Sequence, residues 1–181
     1  MEITKEKAIR LAVISIGAMF IASFASPPYL DLANAQQNNT SIQGNAIEEK
    51  NKALVLKAFD TLFNQRDYVA AESYWSPKYI QHSAHIEPGR EGLFNLVKSS
   101  PPTLKYEPGT IVADGDFVIV HGRFSGMELP VNWIAADILR IDNGIMVEHW
   151  DVIQDEASQE QSKSGLPMFG DKFPNNSSRT N

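Results

Sequence analysis

The sequence predicts an α+β domain in which a curved antiparallel sheet wraps over N-terminal helices. Two observations carry this. Apolar residues recur at helical spacing between Leu54 and Val97, and from Leu104 onward the pattern changes to strand-like alternation. Two hairpin signals, Asp114-Gly115 and Asp142-Asn143-Gly144, punctuate the second half. Helices followed by an antiparallel meander define the α+β class, and a strongly curved sheet over a helix leaves a cavity suited to a small molecule.

The elements follow in order over a folded region of residues 47–173. Leu54, Val55, Ala58, Phe59, Leu62 and Phe63 form one helical stripe. Asp67 caps a second short helix carrying Tyr68, Val69, Ala71 and Tyr74. Ser76-Pro77 ends it, because a residue before proline is pushed out of the α region. A short extended piece spans Tyr79–His82, and a third helix spans Arg90–Ser99 with Leu93, Phe94, Leu96 and Val97 on its buried side. Strands over Tyr106–Ala113 and Phe117–Phe124 form the first hairpin, and strands over Trp133–Ile141 and Ile145–Gln154 the second.

The chain of 181 residues holds one domain of ordinary size, and its 43% hydrophobic and 21% charged residues fit a globular protein. A net charge of −6 without a Lys/Arg cluster argues against a nucleic-acid partner. With no cysteines there is no disulfide frame, thiolate nucleophile or Cys-ligated zinc. Residues 1–35 read as a signal peptide: Lys5, Lys7 and Arg10 precede the apolar run Leu11–Ala25, and Ala33-Asn34-Ala35 supplies the small residues of a cleavage site. The expectation is a secreted or extracytoplasmic protein that touches the membrane only through this segment if it is not cleaved. Residues 36–46 read as a disordered polar spacer and 174–181 as a disordered tail.

The second hairpin concentrates the chemistry. A three-residue loop at Asp142–Gly144 pairs Ile141 with Ile145, Leu139 with Val147, Asp137 with His149, Ala135 with Asp151 and Trp133 with Ile153. One face is then apolar except for Asp137, His149 and Asp151; the other carries Arg140, Glu148 and Trp150. Charged groups among apolar neighbours are costly unless paired or functional. Asp137 opposite His149 fits a structural polar contact as well as a functional pair, and small Ala135 leaves room for a ligand beside Asp151. Arg140 and Glu148 read as a surface ion pair. His121 shares a strand face with Phe117 and Ile119, and either core packing or a pocket role satisfies that placement. His82 and His85 have a weak metal spacing, and no zinc-protease, phosphate-loop or nucleophile-elbow motif is present, so no metal is expected. Trp75, Tyr79, Trp133 and Trp150 are candidate pocket walls or core.

Three stretches resemble a known family: Tyr79-Ile80-Gln81-His82 with Gly89-Arg90-Glu91-Gly92; Ala136-Asp137-Ile138-Leu139-Arg140-Ile141 with Asn143-Gly144; and Val147-Glu148-His149-Trp150-Asp151-Val152-Ile153-Gln154. Together they are similar to the SnoaL-like polyketide cyclases of the nuclear-transport-factor-2-like superfamily, over about Lys52 to Phe173. The resemblance implies a cone-shaped α+β barrel, a homodimer, an apolar pocket and cofactor-free aldol chemistry driven by a carboxylate. Asp151 matches that carboxylate, with His149 and His82 as catalytic neighbours; Asp137, His121, Trp75, Tyr79 and Trp133 are the expected substrate-binding residues. The export signal departs from an intracellular biosynthetic role. The alternatives are a non-catalytic carrier of an apolar small molecule and a dimeric interaction module.

Overall fold

A computed structural model describes residues 28–174, and side-chain burial from Ser41 onward except Ile42. The chain divides into two units, residues 1–37 and 38–181. Of the first, the described residues are helical. The predicted signal segment lies mostly outside the described residues, as does nearly all of the predicted tail.

Helix α1 is Pro28–Phe59. It runs through 36–46, where the sequence reads as a spacer. Pro28 stands at the first helical position, no proline follows before Phe59, and Gln and Asn cost only tenths of a kcal/mol each in a helix. A polar composition signals the lack of a buried face, and Ser41, Gln43, Asn45 and Ala46 are indeed exposed. It does not forbid a solvated helix. A wider turn at Asp60–Asn64 ends the helical run.

Helix α2 is Tyr68–Ala71, capped by Asp67, whose carboxylate accepts from the Ala70 amide at 3.0 Å. Strand β1 is Trp75–Gln81 and helix α3 is Gly89–Ser99. Strands β2 (Lys105–Asp114), β3 (Phe117–Ser125), β4 (Trp133–Asp142) and β5 (Ile145–Asp155) form the meander. The sheet order is β1-β5-β4-β3-β2. All neighbours are antiparallel except β1, which lies parallel to β5 with Gln81 opposite His149.

The β4–β5 register differs from the expected one. The loop has two residues: Asp142 pairs with Ile145, and Asn143 and Gly144 take φ of 49° and 77°. Alone, that loop would bring Trp150 opposite Asp137. A β-bulge prevents it. Ile141 pairs with Met146 but Arg140 with Glu148, so Val147 is an extra residue. Beyond the bulge Leu139 faces His149, Asp137 faces Asp151, and Ala135 faces Ile153. The expected partners were therefore displaced by two residues; beyond the bulge the expected faces were right, whereas next to the loop Met146, and not Ile145, faces the core.

The inner sheet face packs on α1 and α3. Phe59 stacks on Trp75 with centroids 6.3 Å apart, and Trp75 meets Phe94 edge-on at 5.7 Å. Val118, Val120, Leu139, Ile141 and Met146 complete the core from the strands.

Candidate functional site

Strand alternation aims Asp137, His149 and Asp151 at the inner face, where they meet an apolar cavity of about 250 Å³. Its walls come from the helices (Phe59, Phe63, Leu93, Val97), the sheet (Tyr79, Phe124, Trp133, Ile153) and the 83–86 loop. Asp137 and His149 are only 3% and 4% exposed, and Asp151 is half-buried. No lysine or arginine is among the lining residues.

The polar end is a connected chain. His149 Nε2 lies 3.1 Å from Asp137 Oδ1, and His149 Nδ1 lies 2.8 Å from Gln81 Oε1. That Gln81 oxygen also accepts the Ser83 backbone N–H at 2.9 Å. Asp137 Oδ2 is buried with no hydrogen-bond partner among the described residues. Burial raises the Asp137 pKa; the His149 contact works against this, and the Asp151 charge adds to it. Burial likewise pushes the Tyr79 and Tyr106 phenols upward, so they remain neutral donors.

Asp137, His149, Asp151, Tyr79 and Trp133 therefore converge on one cavity. Three expected site residues do not. Because Gln81 points inward, His82 points to the outer face, where its ring stacks on Trp150 at 4.8 Å and its Nε2 lies 3.0 Å from Glu148. Glu148 also pairs with Arg140 at 2.8 Å, the surface pair expected from the sequence, and both partners hold its pKa below the usual range. His121 lies on the outer face beside Phe169, centroids 5.7 Å apart. Its apolar strand neighbours Phe117 and Ile119 are themselves exposed, so the face that reads as core in sequence is the outer one. Trp75 is core, 1% exposed, and does not line the cavity.

The residues missed from sequence are Gln81, Ser83 and His85. Gln81 was within reach: it alternates with Tyr79, so a strand that aims Tyr79 inward aims Gln81 inward too. His85, tilted against Trp133 at 5.1 Å, sits on a loop and has no periodic signal. One ligand atom from each of Asp137, His149 and Asp151 falls within 4.8 Å of the others, a spacing that could hold a cation. A cation there would have to displace the Asp137–His149 contact, since each imidazole nitrogen already faces an oxygen.

The family profile of the SnoaL-like domain matches residues 55–149. No curated protein matches the sequence. Among solved structures, a candidate ketosteroid isomerase from Kribbella flavida is similar at 18% identity, covering 70% of this chain and 97% of its own, with a TM-score of 0.56. A candidate polyketide cyclase from Acidithiobacillus ferrooxidans is similar at 19% identity, covering 58% of this chain and 88% of its own, TM-score 0.51. AclR of Streptomyces galilaeus, a candidate hydroxylase, shares 27% identity over 59% of this chain and 90% of its own, TM-score 0.49. The first two likenesses show the nuclear-transport-factor-2-like fold.

Proposed function

The chain belongs to the SnoaL-like domain family, and on that premise we propose that it is an exported, cofactor-independent lyase or isomerase of the aldol-cyclase type, acting on a small carbonyl compound with Asp151 as general acid/base. The supporting observation is the placement of Asp151. It is a half-buried carboxylate on the wall of a largely apolar cavity, directly opposite Asp137 and close to His149. Proton removal α to a carbonyl needs a base poised beside the bound substrate, and apolar walls strengthen its electrostatics. The enolate attacks the acceptor carbonyl, and the resulting alkoxide takes the proton that Asp151 removed, which regenerates the carboxylate. His149 assists as the neighbouring polar group.

Asp151→Asn tests this. With a carbonyl substrate in hand, turnover falls at least ~10²-fold while ligand affinity and thermal midpoint stay near wild type. Unchanged turnover removes Asp151 from the role. Native mass spectrometry of protein from its own host distinguishes the carrier reading, which requires a retained, unaltered apolar molecule. The export reading rests on the N-terminal sequence and is checked by finding the chain, cleaved after Ala35, outside the cytoplasm.

A further inference from the structure

The geometry points to Gln81 as a positioning residue that locks His149 in the Nδ1–H form, so that His149 Nε2 and Asp137 Oδ1 share one proton and Asp151 is left as the free carboxylate of the site. The argument begins at a backbone amide. The Ser83 N–H can only donate, and it donates to Gln81 Oε1 at 2.9 Å. The Gln81 side chain is therefore oriented with its oxygen toward Ser83. The same oxygen lies 2.8 Å from His149 Nδ1. Two acceptors cannot bond each other, so Nδ1 carries hydrogen and donates.

The rest follows by hydrogen count. With Nδ1 protonated, Nε2 lies 3.1 Å from an Asp137 oxygen. Either a protonated Asp137 donates to a neutral ring, or an imidazolium donates to a carboxylate. Both arrangements hold one proton between the two atoms, and both make the pair neutral overall. A neutral pair suits its depth, because an unpaired charge there would be costly. The groups facing His149 are then Gln81 from β1, Asp137 from β4 and Asp151 on its own strand β5. The phenols of Tyr79 and Tyr106 are neutral members of the same wall and core. Gln81 Nε2 is buried without a hydrogen-bond partner among the described residues, so the Ser83 N–H contact to Oε1 is what fixes the orientation of the amide.

The proton assignment stands without the lyase reading; its consequence, that Asp151 alone serves as base, rests on that reading. The two can fail separately, because the test needs no substrate. The chain has four histidines, which makes side-chain 15N spectroscopy tractable. At neutral pH wild-type His149 shows a protonated, pyrrole-type Nδ1. Gln81→Leu moves His149 to the Nε2–H form, with Nδ1 becoming pyridine-type, while Gln81→Glu, which keeps an acceptor in place, retains the wild-type pattern. Backbone amide spectra confirm that each variant is folded. A merely structural Gln81 would not move the tautomer. A pyridine-type Nδ1 in the wild-type protein overturns the proposal whether or not the variants fold. So does a folded Gln81→Leu protein with His149 unchanged.

Discussion

Asp137 and Asp151 are direct cross-strand partners, yet their surroundings drive them apart: Asp137 is buried against His149, whereas Asp151 is half-buried at the cavity wall. Burial holds a proton on Asp137 more tightly in the folded chain than in the unfolded one. The sign follows from linkage. Its contribution to stability is full below the usual carboxylate range, about pH 4, and is lost as pH rises through the raised folded value. Asp137→Asn should therefore flatten the decline in stability above pH 4, as read from urea midpoints at a series of pH values. At this scale the sequence was informative about Asp137, His149 and Asp151, because charged residues stand out on an apolar strand face. Alternation with Tyr79 was enough to turn Gln81 inward, but not to name its partner, which lies 68 residues away in the chain. The sequence misplaced His82 and His121 because strand periodicity separates two faces without saying which is inside.

The strand ribbon β4–β5 shows how a local irregularity protects a site. Beyond the bulge, a two-residue loop and one extra residue at Val147 together have the same effect on facing as a three-residue loop, which explains why the sequence-derived faces of Asp137, His149 and Asp151 were right while the partners were shifted. The expected outcome of deleting Val147 is counterintuitive. The bulge closes, Leu139 still faces His149, Asp137 still faces Asp151, and ligand binding survives. Deleting Trp150 instead turns Asp151 to the outer face, and binding at the site is lost. Calorimetric titration of the two deletion variants with one apolar ligand distinguishes these outcomes. The hairpins were legible because their turn residues are local signals. The parallel docking of β1 on β5 was not, since it depends on contacts distant in sequence.

On the molecular scale, the outer sheet face has two parts. At one end the C-terminal segment is pinned: Phe169 sits under the Arg123 guanidinium at 4.6 Å, and Arg123 pairs at 2.6 Å with Glu156, which also accepts from Asn132 at 2.8 Å. Elsewhere Phe117, Ile119 and Val152 are exposed at 43%, 41% and 69%, alongside the His82–Trp150 stack. An apolar face of this kind, rimmed by charge, suits a second copy of the chain, and the homodimer is proposed on that basis. Sedimentation of wild type should give a dimer and Val152→Asp a monomer with an unchanged thermal profile of the cavity; a monomeric wild type at micromolar concentration overturns it.

The absence of lysine and arginine among the residues lining the cavity bears on how the protein meets its ligand. Walls of phenylalanine, leucine and tryptophan favour a molecule over water for the same reason that lipid tails do. A compound small and neutral enough for this chamber therefore permeates a bilayer unaided. Were the chain exported as proposed, such a compound would reach it by diffusion across the envelope.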